Sequence, residues 1–422
     1  EISCSLVGSE MCIRDRKWIY AIGTICTASM MISCQPTSQK ADNTLTVIDI
    51  ESAAAKQTEL KVSELGSNIR YLPLETTDSC LIGNKPKIKI IENRILVLSN
   101  NTVYCFDKET GNFLNTIGHT GDDPQGYSSN LPSYNKSDGM LYFNRQPDQL
   151  QRYDMKGIYH GKVTIATPPS IPSSFAFLDT LLVGHYHNIA QLNKHNRALA
   201  FFTKNGMLID TISSVLPTLP SMEVSDIASI NVFMLGNAGT IISKFKDGTS
   251  SIGILNPTSL WEQDGELRFK EAFNDTIYNV SATKKLEPWA VFHLGEYGIK
   301  YKERWSEDES DGKLIPIFLL ESKQKLFFQC AEGLSKTLNG IYDKSSGTTH
   351  MNKEENGFTD DINGFMDFKP NTCSEKGEYA QMVEAADVIN FFDENPEEKK
   401  NKAFATLLNI GEDDNPVVVL VY

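Results

Sequence analysis

Apolar and polar positions alternate in short runs along most of this chain, and Gly, Asn, Asp or Pro close each run. Before residue 378 no sustained helical or heptad pattern appears, so the pattern predicts strands and turns. Residues 87–118, KIKIIENRILVLSNNTVYCFDKETGNFLNTIG, are the clearest case. They read as four strands, KIKI, RILVLS, TVYCFD and NFLNTIG, joined by the turns EN, NN and KETG. A lone sheet of this kind cannot bury both of its faces.

The third strand and its turn recur. VYCFDKETGNFL, LQRYDMKGIYHG, LAFFTKNGMLID and NGIYDKSSGTTH each place an aromatic (Phe106, Tyr153, Phe202, Tyr342) before a polar residue, a short Gly turn and another strand. DTIYNVSATKKLEPWAVF, with Tyr278, is a looser fifth copy. The first two intervals are 47 and 49 residues. Four strands per unit at this spacing are the mark of a β-propeller, in which each sheet is covered by its neighbours. A β-sandwich with chance hairpins is the alternative. TLTVIDI (44–50) and PVVVLVY (416–422) read as strands that could pair the two ends within one blade and remove open edges. Between them, residues 378–411 carry Met382, Ala385, Val388, Ile389 and Phe392 at helical spacing, broken at Asn395-Pro396. They predict a helical insertion that caps the closing seam or docks a partner.

The start of the chain has a different texture. Residues 8–15, GSEMCIRD, back-translate to a sequence that resembles a transposase-end sequencing adapter, so residues 1–16 read as an artefact of that origin, with a true N-terminal extension as the alternative. Lys17 then precedes an apolar run over 18–32, shorter than the roughly 20 residues a membrane span needs and suited to a signal peptide over 17–33. The run ends MISC. Small Ser33 before Cys34 is similar to a bacterial lipobox, in which the cysteine takes acyl chains as a membrane anchor. An incidental core cysteine is the other reading. QPTSQKADNT follows as a polar tether over 34–43, leaving 44–422 for the folded part.

Composition narrows the function. A formal net charge of −14 without a basic run argues against nucleic acid as a partner. Cys80, Cys105, Cys330 and Cys373 are widely spaced with no CxxC, so a zinc site is not expected; one or two disulfides or isolated buried thiols are both open.

Several passages carry a family resemblance. IRYLPLETTDSCLIGNKPKIKIIENRILVLS, FDKETGNFLNTIGHTGDDPQGY, FNDTIYNV, GIYDKSSG and DDNPVVVLV, in this order from about residue 65 to the end, resemble the β-propeller lipoproteins of Bacteroidetes, NHL-like or TolB-like in architecture. The resemblance implies an all-β, six-bladed β-propeller with a C-terminal helical insertion, exported to the cell envelope as an outer-membrane lipoprotein. It departs in one turn. Where such proteins carry a turn like GQGPGEY, this chain has Asp123 and Gln125 in place of glycines and Gly126 in place of the acid. That puts a ligand role for the turn in doubt.

Candidate chemistry is sparse. His185 and His187 are two apart on an expected strand and would project to one face, as metal ligands or as an exposed or channel-facing pair. Asp360, Asp361, Asn363 and Asp367 gather around glycines in GFTDDINGFMDF, a loop that could hold Ca²⁺ or be a plain hairpin turn. Asp360, Asp361 and Asn363 with His185 and His187 are the ligand-binding candidates. Asp122 and Asp123 could hold a cation, and WSEDESDGK (305–313) reads as a solvated acidic loop. GxSxG, HExxH and GxxxxGKS are absent. Catalytic residues are therefore unassigned, and a divalent cation is the one cofactor considered. The chain reads as a lipid-anchored, non-catalytic scaffold for a glycan, peptide or protein. The alternative is a metal-dependent hydrolase or lyase with its site in the central channel.

Overall fold

The computed structural model describes residues 45–128, 131–166, 171–187, 196–217, 223–300, 310–352 and 357–422. Residues 87–118 form the expected four strands, Lys87–Ile91, Arg94–Ser99, Thr102–Asp107 and Phe113–Ile117, as one antiparallel meander, sheet I. Its second strand is apolar almost throughout because both of its faces are buried. Ile95 and Val97 point into one core cluster with Leu72, Val418 and Leu420; Leu96 and Leu98 point into another with Leu141, Phe143 and Tyr153. Alternate residues of one strand thus serve two neighbours.

The same plan repeats. Sheet II starts with Ser133–Asn135 and ends with Tyr159–Thr164; sheet III starts with Ser174–Leu178 and ends with Leu208–Ser213. Sheet IV starts with Leu260–Gln263, sheet V with Leu314–Glu321 and sheet VI with Thr372–Cys373. Each is a mostly antiparallel sheet of the propeller-blade kind, and a shared apolar cluster joins each to the next, VI back to I.

The recurring aromatic-turn motif lies in third strands. Phe106, Tyr153, Phe202, Tyr278 and Tyr342 all stand there. The polar residue that follows caps the turn: Asp107 accepts from the backbone of Glu109 and Thr110, and Asp343 from Ser345 and Ser346. Its glycine has a separate reason. Gly111, Gly157 and Gly206 have φ of +76°, +79° and +82°. A Cβ there would stand 2.2, 2.3 and 2.0 Å from the carbonyl oxygens of Pro73, Thr116 and Thr164, on the last strand of the preceding sheet. Turn and inter-sheet contact both require glycine.

The closing strand differs from expectation. Val417–Val421 pairs on one side with Tyr379–Val383 and on the other with Ile69–Pro73, not with 44–50. Thr46–Asp49 instead runs parallel to Leu286–His293 and covers the outer edge of sheet IV. Ile69–Pro73 is selected because Leu72 faces sheet I while Tyr71 faces the cluster beneath the C-terminal helix. Asn415 fastens this region: its side chain accepts from Ile82 N and donates to the carbonyls of Glu75 and Cys80.

The helical insertion is shorter than its apolar spacing suggested. Residues 379–383 are a strand, and the α-helix is Ala385–Glu394, followed by 3₁₀ turns at Pro396–Lys400 and Lys402–Phe404. Met382, counted on the helical face, belongs to that strand. Ladder pairing with Val417–Val421 overrides a spacing that fits both periods at one point. A three-stranded sheet, Ile227–Leu235, Ala238–Phe245 and Ser250–Leu255, is inserted between sheets III and IV and packs on Ile315 and Ile317, near the start of sheet V.

Candidate functional site

The first strands of sheets I to VI converge on one cavity of about 200 Å³. Its wall takes residues from all of them, among them Lys89, Tyr134, Ala176, Trp261, Glu321 and Glu375. In sheets I and V the lining residues lie at the C-terminal ends of these strands, and in sheet VI they run on into the turn with Ser374 and Glu375. Every turn from a first strand to the second is among the described residues.

Three sheets meet in one charged cluster beside the cavity. Lys136, in the turn after the first strand of sheet II, sets its Nζ 3.0 Å from Glu375 Oε1 of sheet VI and 3.7 Å from Glu262 Oε2 of sheet IV. The lysine is 44% exposed, so the cluster meets solvent. Burial raises the Glu262 carboxyl above its ordinary range, and Lys136 only partly offsets this. Phe177 N donates to its other oxygen at 3.3 Å. Lys89 of sheet I donates to Pro132 O at 2.8 Å, and burial lowers its ammonium. Tyr134 donates to Glu92 Oε1 at 2.7 Å; burial, then that carboxylate, pushes its phenol up to about 12. Gln263 also lines the cavity. It is 3% exposed, and its Nε2 has no protein partner.

A second charged group in the same wall is sealed. The Glu321 side chain is fully buried. It accepts from Trp261 Nε1 at 2.6 Å and Lys344 Nζ at 2.5 Å, with Arg268 Nε at 3.5 Å. Arg268 lies 4.2 Å and Lys344 5.3 Å from the Trp289 ring. Its acceptors are occupied, which suits a strut between sheets IV and V.

The residues singled out from sequence lie elsewhere. His185 is buried, 6.0 Å ring to ring from His187, and burial, then His187, pushes it down to about 3. His187 Nε2 bonds Ile254 O at 2.6 Å. His187 therefore ties sheet III to the inserted sheet, while the His185 ring lies 5.7 Å from Phe269 of sheet IV. Asp360 accepts from the backbone of Ile362, Asn363 and Phe365 and from Tyr71 OH; Asp361 accepts from Ser63 N and Oγ. Asn363 donates to Tyr71 OH at 3.3 Å. These groups knit the 357–368 loop to the closing strand, outside the cavity. Asp123 is likewise engaged: it contacts His119 Nε2 at 2.5 Å and accepts from Gln125 N and Gly126 N. The Arg145 guanidinium donates to the carbonyls of Asp122, Asp123 and Gly126, so the departing turn is fixed from sheet II.

Among the described residues no three His, Cys, Asp or Glu side chains gather as metal ligands. Cys80, Cys105, Cys330 and Cys373 are free thiols; burial pushes Cys105 up to about 11 and Cys373, in the cavity wall, higher still. Cys34 and the segments 1–16, 17–33 and 34–43 lie outside the described residues, as do 305–309 of the acidic loop. No described helix is long and apolar enough to cross a membrane.

No curated protein matches the sequence. Among solved structures, a protein assigned as exported in Bacteroides fragilis superposes with a TM-score of 0.64 at 16% identity, over 89% of this chain and 99% of that one. A DUF4221 protein of Bacteroides vulgatus gives 0.45 at 10% identity (84% and 96% covered). Virginiamycin B lyase of Staphylococcus aureus gives 0.33 at 14% identity (67% and 87% covered). The first of these likenesses shows a shared propeller-like fold and nothing of activity. Residues 45–422 match throughout the family described as a domain of unknown function, DUF4934, and the chain belongs to that family.

Proposed function

We propose that this protein is a six-bladed β-propeller of the cell envelope, held to the outer membrane by lipid on Cys34, that binds a small polar ligand without catalysis. Sheets I to VI and their shared clusters support the count of six: each cluster joins consecutive sheets, and the one between VI and I completes the circle. The inserted three-stranded sheet is then an addition rather than a blade.

The observation that carries the binding reading is the open cavity itself. It draws side chains from every first strand, and two of its carboxylates, Glu262 and Glu375, come from different sheets and meet at Lys136 of a third. Nothing in the folding of any one sheet requires that meeting. Concave sites with a few convergent polar groups are the ordinary form of small-ligand pockets. Glycan, peptide and amino-acid chemistry all remain within this reading; a macromolecule would enter only by a terminus or side group.

The test is calorimetry on the whole chain with neutral sugars, free amino acids and capped dipeptides, repeated on Lys136→Trp, which puts a bulky apolar ring beside Glu262 and Glu375. Saturable binding lost in the variant is expected. Binding that Lys136→Trp leaves unchanged would move the site elsewhere. For the anchor, Cys34→Ala should release the protein from the membrane fraction; retention there would overturn the lipid attachment.

A further inference from the structure

We propose that the mouth takes a zwitterion of free amino-acid size, which replaces Lys136 as partner of the acidic side chains and brings its own carboxylate to the lysines. The inference rests on the binding reading above and narrows its ligand class.

Charge balance comes first. The ammonium of Lys89 and the carboxylates of Glu262 and Glu375 line the cavity, and a second ammonium, Lys136, pairs with both of those carboxylates. Glu92 is engaged by Tyr134, and Glu321 is sealed against Trp261, Lys344 and Arg268. Lys136 alone bridges both carboxylates, and it does so at unequal distances, 3.0 and 3.7 Å. A simple anion entering here would draw Lys136 away and leave Glu262, three-quarters buried, with less compensation. A simple cation would do the same to the lysines. Exchanging one partner for another keeps Glu262 compensated, which a simple ion does not. A molecule carrying both an ammonium and a carboxylate permits the exchange with every charge still paired.

Unused donors fit the carboxylate end. Lys89 directs one of its three N–H groups to Pro132 O, and Gln263 Nε2 lines the same cavity without a protein partner while almost wholly buried. An oxygen acceptor in the cavity would satisfy both. Size agrees: an open cavity of about 200 Å³ lies at the small end of ligand pockets, which suits a free amino acid better than an oligosaccharide.

The experiment is a thermal-shift screen of the whole chain against the free L-amino acids, followed by calorimetry on any that respond. Each responder is compared with its N-acetyl and its C-amide form, and glucose and N-acetylglucosamine serve as neutral probes. At least one free amino acid should raise the melting temperature in a saturable way. Blocking either end should weaken binding by roughly 30-fold or more. Lys136→Met and Glu375→Gln, both at exposed positions, should each weaken it at least tenfold, with the unliganded melting temperature little changed. Equal binding of the capped forms would overturn the zwitterion assignment. So would a response to the sugars alone, which would still leave the mouth as a binding site. No saturable response from any probe, capped or free, would overturn the zwitterion assignment and the binding reading together.

Discussion

Two charged clusters share the wall of the central cavity, and they differ in what holds them. Around Glu321 every acceptor is occupied, Trp289 covers two of the cations, and solvent does not reach the carboxylate. Around Lys136 the pairs are longer, all three partners are at least a quarter exposed, and Gln263 beside them has a donor to spare. The first arrangement has the features of a structural strut. The second is open to solvent and only partly saturated. Charge in a channel is therefore no guide to function until burial and saturation are known.

Substitutions should separate the two. Glu321→Ala leaves Lys344, Arg268 and the Trp261 N–H without their acceptor, and a loss of about 3–5 kcal/mol in urea unfolding is expected. A loss below about 1 kcal/mol would mean that the cluster is not the strut described. Next comes the latch between sheets I and VI, where buried Lys108 donates to both oxygens of Glu378 at 2.8 and 2.7 Å. Lys108→Ala should cost about 2 kcal/mol. Burial alone would raise Glu378, but the hydrogen bonds from Lys108 and Ser374 more than offset it and hold the carboxyl low. Its stabilising contribution is thus present above the usual Glu range and lost as pH falls through the lowered value. The variant should lose that part of the acid sensitivity.

Glu262 has the opposite sign. Burial raises it, so its contribution is present below the usual Glu range and lost as pH rises through the raised value. Glu262→Gln should flatten the stability profile across that window, read from melting temperatures between pH 4 and pH 7, about the span from the ordinary Glu pKa to neutrality. The smallest effect is expected at Lys136→Met, under about 1 kcal/mol, because the pair is open to solvent. A larger loss would place Lys136 with the struts and weaken the case for a ligand at the mouth.

Much of the fold was legible in the chain. The strands of sheet I can be drawn from 87–118 to within a residue or two, since every contact that defines them is local. The motif built on Phe106, Tyr153, Phe202, Tyr278 and Tyr342 marked third strands correctly, because the turn cap and the left-handed glycine are chemical demands that the sequence must meet. The closing strand was misassigned for the converse reason. TLTVIDI and IRYLP are both adequate edge strands, and which of them meets Val417–Val421 depends on the shape of a seam formed by residues more than 300 positions apart. The histidines and the 357–368 acids stand out by local density, and His187, Asp360 and Asp361 make bonds between elements.

The mouth had no local signal at all. Lys136 sits in an ordinary turn, Glu262 in the strand Leu260–Gln263, and Glu375 in another turn more than 100 residues on. By itself the sequence determined the β class, the four-stranded repeat and the turn chemistry, all of which follow from contacts within some 30 residues. Only the tertiary structure decided which strand pairs with Val417–Val421 and which charges from different sheets meet. Those outcomes depend on the relative placement of whole sheets, set by the packing between them, which short-range pattern does not encode.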